Sequence, residues 1–465
     1  MIYFVAAIAA IAGFLFGFDE GVIAGALHLL RKEFTITAAA EGFMTAAVPL
    51  GAMAGAIIAG PLAEPLGRRF LLLTAAAMFI VGALLASVAT AVWMLTCGRL
   101  LLGIAIGVAG IMAPLYISES APAHRRGMLV SLYQLAITIG IVSAYMVDYG
   151  FGDAWRYMFA AGIIPGIALG VGMSLLMDTP RWLVSRGRSS EAVTAISRIR
   201  GLPAADPAVK QEIAEISVAI ETDARRGGWP DLFSSSVRPA LVVAMGLFFL
   251  QQLSGINAVI YYAPTVFKEA GFASATTQIL ATVGIGIVNV LATVLGMMLI
   301  DRIGRRRLLM IGFAGTAVSL AMIALAAATD SAALDIFAIV GLLFYIAAFA
   351  VSLGPLPWVM MSELFPLNVR GLGMSLASVT NWGFNFLVVF SFPFLIEKIG
   401  LAGVFAIYAV VCAAGVFFTA RLVPETSGVS LEDIEDHLHS GRPLVELGRV
   451  RPLPSPVALT ATFRS

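Results

Sequence analysis

The chain has 465 residues and a mass of 48.9 kDa; 60% of it is apolar and 12% charged, where a soluble globular protein carries about 45–50% and about 25%. A soluble fold of this size could not hide that much apolar surface, and four histidines and two cysteines, Cys97 and Cys412 in apolar runs, are too few for a metal cluster or a disulfide framework. Against 28 acidic residues stand 29 basic ones, a net charge of +1, so no global field recruits nucleic acid.

A bilayer core of about 30 Å needs about 20 apolar residues rising about 1.5 Å each. Twelve such stretches follow one another, at about 3–30, 41–63, 70–92, 93–117, 128–148, 156–177, 238–266, 276–300, 308–328, 334–361, 371–396 and 401–422. The first has no basic residue before it and is longer than a signal core, so it reads as a span and not a cleaved leader. Residues 178–237 are rich in charge and read as an aqueous segment of short amphipathic helices. The expected organisation is therefore a six-helix bundle over 1–177, a linker over 178–237, a second bundle over 238–422 and a tail over 423–465, disordered after about residue 440. Of the 29 basic residues, 23 fall on the side that carries the linker and both ends, which places that side in the cytoplasm.

The two halves repeat each other. Glu64-Pro-Leu-Gly67-Arg68-Arg69 after span 2 matches Asp301-Arg302-Ile-Gly304-Arg305-Arg306 after span 8 at an offset of 237. After spans 4 and 10 the pattern Glu-x-x-Pro-x-x-x-Arg-Gly recurs at Glu119, Pro122, Arg126, Gly127 and at Glu363, Pro366, Arg370, Gly371, offset by 244. After spans 6 and 12, Thr179 and Thr426 stand 247 apart. Parallel six-helix repeats place a substrate site at their interface and move by rocking one half against the other. Anchoring at the cytoplasmic surface accounts for the arginines alone, but not for an acid at fixed spacing beside them. The acids and arginines are therefore candidate cytoplasmic locks that bridge the halves when their inner ends meet, each a charge-assisted bond of about 1–3 kcal/mol.

With these motifs the sequence resembles the sugar porters of the major facilitator superfamily. The resemblance covers residues 13 to about 436: Gly13-Phe-Leu-Phe16-Gly-Phe-Asp19, the paired loop motifs, Asp178-Thr-Pro-Arg-Trp182, Gln251-Gln252-Leu-Ser-Gly255-Ile-Asn257-Ala-Val-Ile-Tyr261-Tyr262 and Pro424-Glu425-Thr426. It implies an all-α fold of twelve transmembrane helices in two repeats with both termini cytoplasmic. Glu64 and Pro65 depart from the family, which favours Asp and a basic residue there.

Asp19 lies about 16 residues into span 1, about 6 Å below the outer surface, and Arg99 lies about 9 Å deep in span 4, so their depths agree. Ionisable residues at such depth are functional by default; the alternative is a static ion pair joining the two spans. At an offset of 238, Asp19 corresponds to the neutral Asn257 of the second half. In the family that the sequence resembles, proton-coupled porters carry Asp at this position and facilitative glucose carriers commonly Asn, and Arg99 matches the partner arginine. Glu20 is unusual there and is expected on another face of the helix.

Buried amides, which both donate and accept, suit a neutral polyhydroxyl ring; the competing reading is interhelical bonding. By resemblance Gln134, Gln251, Gln252, Asn257, Asn289 and Asn381 fall on sugar-contact positions, with Asn385 on the face of Asn381. Trp358 matches a sugar-stacking tryptophan after the bend-forming Gly354-Pro-Leu-Pro357, and Phe16, Tyr261 and Trp382 match further aromatic positions. Gly103, Gly107 and Gly110 suggest close packing along span 4. The sequence thus reads as a proton-coupled hexose or pentose symporter of the cell membrane, working as a monomer. It is expected to need no cofactor beyond the proton gradient, to bind no metal or nucleic acid and to catalyse no reaction. A facilitative uniporter, a polyol or inositol porter and a non-transporting sugar sensor are its rivals.

Overall fold

The computed structural model describes residues 1–122, 125–223, 227–329, 331–366, 368–429 and 431–447. Among these, eleven helices are long and apolar enough to cross a membrane: α1 (Ile2–Phe34), α2 (Ala38–Leu66), α3 (Arg68–Ser87), α4 (Val92–Ser120), α5 (Arg126–Phe151), α6 (Trp155–Leu175), α7 (Arg238–Glu269), α8 (Ala275–Ile303), α9 (Arg305–Ala328), α10 (Leu334–Leu364) and α11 (Arg370–Leu422). The last has 53 residues and is interrupted at Gly400, where φ is 66° and ψ −178°. At about 1.5 Å per residue it would be about 80 Å long if straight, far beyond one bilayer crossing. The eleventh and twelfth expected spans are its two arms.

Local chemistry sets the ends. Thr37 Oγ1 accepts from the Ala40 amide at 3.2 Å to cap α2, and Ser274 Oγ accepts from the Thr277 amide at 3.1 Å to cap α8. Gly67 and Gly304, with φ of 87° and 90°, end α2 and α8 and cap α3 and α9 in matching turns. A Cβ there would lie 2.3 Å from Asp178 Oδ2 and 2.6 Å from Glu425 Oε2, so both positions require glycine for conformation and space.

The start of the chain and the described residues that follow α11 sit at the face that carries the paired motifs. Tyr3 accepts from Arg125 beyond α4, and Glu425 binds the start of α9. The linker forms the helices Pro180–Ser185, Ser189–Arg200, Pro207–Asp223 and Trp229–Leu232 at this motif face. It touches both halves, through Arg200 on the Ser120 carbonyl at 3.0 Å and the Gly227 amide on the Asn368 carbonyl at 2.9 Å. Past residue 440, Leu444–Glu446 makes a single 3-10 turn, and most of the expected disordered tail, residues 448–465, lies outside the described residues.

Two large apolar cores divide the molecule unevenly, beside a small one around Trp182 and Leu183 in the linker. Near the motif face the first half has its own core, running from Val5 to Leu15 on α1, Val48 to Ala63 on α2 and Leu102 to Ile117 on α4, joined from the second half by Trp382. Toward the opposite face, Phe18 to Leu30, Met44, Ala46 and Ile137 to Phe159 share one core with the whole second half. There the Tyr145 hydroxyl donates to the Ile260 carbonyl at 3.0 Å, and Gly42 lies so close to α11 that a Cβ would sit 2.3 Å from the Phe390 oxygen. The halves are closed on each other at the face away from the motifs.

Candidate functional site

Four glycines at intervals of four on α1 let it lie against the backbone of α5. Cβ atoms on Gly13 and Gly17 would fall 2.5 Å from the Tyr133 carbonyl and 1.9 Å from that of Ile137, and on Gly21 and Gly25 they would meet Ala144 and Asp148. On α4 a Cβ at Gly103 or Gly107 would lie 2.2 Å from the Val48 or 2.1 Å from the Ala52 carbonyl of α2, whereas one at Gly110 would make only an ordinary 3.4 Å contact with the Tyr133 hydroxyl. These contacts fix α1, α2, α4 and α5 as a rigid block, with Asp19 and Arg99 both inside it.

Arg99 is fully buried and Asp19 is 1% exposed. Arg99 Nε donates to the Met44 carbonyl at 3.1 Å and Nη2 to the Thr45 carbonyl at 3.3 Å. Pro49 lies four residues after Thr45 inside α2 and has no N–H to bond that carbonyl, which leaves the acceptor to Arg99. Held by α2, the guanidinium meets Asp19 only at 3.6 Å, Nη1 to Oδ1, and neither Asp19 oxygen has a hydrogen-bond donor. A buried carboxylate with an opposed charge but no hydrogen bond is a costly arrangement.

Glu20, the next residue of α1, is also buried, at 4% exposure. Asp148, 1% exposed on α5, accepts from the Gly25 amide at 3.0 Å. Composition had not separated it from a surface acid, because it stands near the end of its span.

The amides of the second half form a chain. α7 breaks at Gly255, where φ is 87°, and on its two sides Asn257 Nδ2 donates to Gln252 Oε1 at 2.5 Å while Gln252 Nε2 donates to Asn381 Oδ1 at 2.6 Å. Gln251 instead donates to the Leu353 carbonyl at 2.6 Å. Leu353 closes a π-helical stretch, Phe349–Leu353, and Pro357 four residues on cannot bond its oxygen, so Gln251 takes the place of the missing N–H. Asn385 and Asn289 are buried on α11 and α8, and Gln134 is half-buried on α5. α5 and α8 meet where Gly286 faces Val142 and Tyr145. Trp358 packs edge-on against Phe248 at 4.7 Å, and Phe16 meets Trp382 at 5.3 Å, joining the halves at mid-depth. Tyr261 is fully buried with its hydroxyl unpartnered.

At the motif face the two halves carry the same cluster. Arg68 Nη2 donates to Glu119 Oε1 at 2.8 Å and Thr179 to Glu119 Oε2 at 2.6 Å; Arg305 Nη2 donates to Glu363 Oε1 at 3.1 Å and Thr426 to Glu363 Oε2 at 2.5 Å. Asp178 receives the amides of Arg68 and Arg69 at 3.2 and 3.1 Å, and Glu425 those of Arg305 and Arg306 at 2.8 and 3.2 Å. Burial pushes the Asp178 carboxyl up, opposed by the amides of Thr179, Arg69 and Arg68. Arg69 reaches the Ser174 carbonyl at 2.9 Å, and Arg305 also binds the exposed Asp301 at 2.9 Å. Trp182 donates to the Glu64 carbonyl at 2.7 Å, and Arg370 Nε to that of Phe365 at 3.3 Å. The side chain of Arg126 lies outside the described residues.

The Arg68–Glu119 and Arg305–Glu363 bridges close within each half in this conformation, in which the halves meet at the face away from the motifs. The reason is the carboxylate after α6 and after α11: it caps the N-terminus of α3 or α9 and turns the loop arginine inward, onto the acid ending α4 or α10 of its own bundle. The repeat of Asp178 and Glu425 at an offset of 247 was in the sequence, without its partners.

The family described as sugar (and other) transporter matches residues 5–438. The galactose-proton symporter of Escherichia coli K12 is 41% identical over 456 residues, 96% of this chain and 97% of that protein. The D-xylose transporter of Levilactobacillus brevis is 39% identical over 436 residues, 93% and 94% of the two chains. Among solved structures, the inward open conformation of the xylose transporter XylE from E. coli aligns with a TM-score of 0.81 at 30% identity, over 94% of this chain and 99% of that one. That of the major facilitator superfamily proton:xylose symporter XylE bound to 6-bromo-6-deoxy-D-glucose gives 0.80 at 32%, over 94% and 98%. With this match across nearly its whole length, the chain belongs to the sugar transporter family, the sugar porters of the major facilitator superfamily.

Proposed function

We propose that the protein is a proton-coupled monosaccharide symporter of the bacterial inner membrane, taking a pentose or hexose with a proton by alternating access. The observation that carries this reading is Asp19, buried opposite Arg99 at 3.6 Å and without a hydrogen-bond donor, where a neutral amide would make no demand for a proton. The names of the relatives, a galactose-proton symporter and a D-xylose transporter, support the same substrates. In this reading α11 crosses the membrane twice, giving twelve crossings in two bundles over 1–177 and 238–422. The linker over 178–237 and the tail over 423–465 are cytoplasmic, and the protein works as a monomer.

Gln134, Gln251, Gln252, Asn257, Asn289 and Asn381 contact the sugar, with Phe16, Tyr261, Trp358 and Trp382 as its apolar walls. The Asn257–Gln252–Asn381 bonds occupy the donors and acceptors that sugar hydroxyls exchange into. The motif-face residues Glu64, Arg68, Arg69, Glu119, Arg126, Asp301, Arg305, Glu363 and Arg370 make the cytoplasmic gate, each cluster bracing its own bundle. Purified protein in proteoliposomes, offered labelled D-xylose and D-galactose with and without an inward proton gradient, tests the reading. Gradient-dependent accumulation is expected; equilibration at a ratio of one under both conditions identifies a uniporter, and no movement of any offered sugar rejects sugar transport.

A further inference from the structure

α7 is broken at Gly255, and the carbonyls that end its first arm lose the amides a continuous helix would offer them. Leu250 and Gln252 receive the amides of Ser254 and Gly255 at 3.0 and 3.1 Å, and Gln251 receives the Ser254 hydroxyl at 2.6 Å. The Ser254 carbonyl, last before the break, receives the hydroxyl of Tyr345 from α10 at 3.0 Å. Ser254 and Tyr345 are both fully buried. Their hydroxyl oxygens also lie 3.3 Å apart, but each carries one proton, and the two shorter bonds to carbonyls use both.

Gln251 makes the return connection. Its side chain runs from α7 to the Leu353 carbonyl of α10 at 2.6 Å, the acceptor that Pro357 leaves free. The two bonds run in opposite directions between the interrupted helices: one ends at the α7 break, the other at the close of the π-helical stretch Phe349–Leu353. The arms they join carry the proposed sugar ligands. Gln252 adjoins Gln251, Asn257 follows Gly255 by two residues, and Trp358 follows Leu353 by five. The bond from Asn257 Nδ2 to Gln252 Oε1 at 2.5 Å spans the break itself.

We propose that Tyr345 is a positioning residue of the sugar site: its hydroxyl fixes the end of the first α7 arm, and with it the spacing at which Gln252 and Asn257 face each other across the break. This rests on the sugar-transport reading and adds to it a residue that acts through Ser254 rather than by contact with sugar. Without the hydroxyl, the buried Ser254 carbonyl has to find another donor, and the arm that carries Gln252 shifts to supply one. Amides already held at their working spacing lose less freedom when a ligand binds, so the cost of losing Tyr345 falls on affinity.

Tyr345→Phe removes the hydroxyl and keeps the ring, and Tyr408→Phe is its control. The Tyr408 ring lies against Gly255, where a Cβ would come 2.3 Å from its Cδ2, but its buried hydroxyl has no hydrogen-bond partner among the described residues. The purified proteins are compared by calorimetric titration with D-xylose and D-galactose and by thermal unfolding. Tyr345→Phe should weaken binding of the sugar that the wild type takes by about fivefold or more, and Tyr408→Phe should bind within about twofold of the wild type. A Tyr345→Phe protein that loses thermal stability yet binds as the wild type does overturns the inference, as does an equal loss of binding in both variants. A wild type that binds neither sugar overturns the sugar-transport reading and this inference together. Should Tyr345→Phe not reach the membrane, amide hydrogen exchange of the wild type decides. Sugar should slow exchange over 251–258 and 349–354 together; slowing in α7 without α10, or in neither, overturns the proposal.

Discussion

Arg99 donates to the carbonyl of Thr45, the acceptor that Pro49 leaves unbonded in α2. A proline in one helix thereby holds an arginine of another at 3.6 Å from its carboxylate, close enough to attract it and too far to bond it.

Pro49→Ala should undo this. The restored amide competes for the Thr45 carbonyl, and Arg99 is freed to close on Asp19. A charge-assisted hydrogen bond of about 1.5–3 kcal/mol would then have to break in each cycle, slowing proton-coupled uptake by about tenfold or more while raising thermal stability. Initial uptake rates and unfolding temperatures in detergent read both effects; unchanged values for both would mean that the proline does not set the spacing.

The two glutamines of α7 should behave differently. Gln252→Ala and Asn257→Ala should each weaken sugar binding by about 1–3 kcal/mol, roughly 5- to 150-fold, by removing hydrogen bonds from a desolvated site. Gln251→Ala should in addition lower thermal stability, because it orphans the Leu353 carbonyl. Calorimetric titration and thermal unfolding separate the two. Equal stability losses at Gln251 and Gln252 would return both to interhelical bonding alone.

Much of this was legible in the sequence. Hydropathy located the spans, and the offsets of 237, 244 and 247 located the paired clusters. Depth alone brought Asp19 and Arg99 to one level. Direction was harder to read: Arg68 and Glu119 could be assigned to one face of the membrane and to one bundle, but not to each other, because spacing along the chain does not say which way a long side chain turns. The carbonyls of Thr45 and Leu353 were invisible for a related reason. Pro49 and Pro357 mark freed acceptors, yet which side chain takes each depends on packing between helices. The four-residue glycine ladder of α1 was readable and carries more of the packing than the glycines of α4 alone suggested.

Because the motif clusters brace separate bundles, Glu119→Gln and Glu363→Gln should act independently. Each removes the charged acceptor of an arginine and a threonine, costing about 1–3 kcal/mol of stability. The double variant should lose the sum to within about 0.5 kcal/mol. Denaturant or thermal unfolding of the four proteins checks this. A strong coupling between the two sites would point to a bridge across the halves after all.

The most direct measurement is sugar accumulation by Asp19→Asn in proteoliposomes under an imposed proton gradient, beside exchange of labelled for unlabelled sugar without one. A gradient of about one pH unit supports up to about tenfold accumulation at one proton per sugar. The wild type should concentrate sugar toward that limit, whereas Asp19→Asn should come to a ratio of one and still exchange. An Asp19→Asn protein that concentrates sugar as the wild type does would contradict the assignment of Asp19 as the coupling acid.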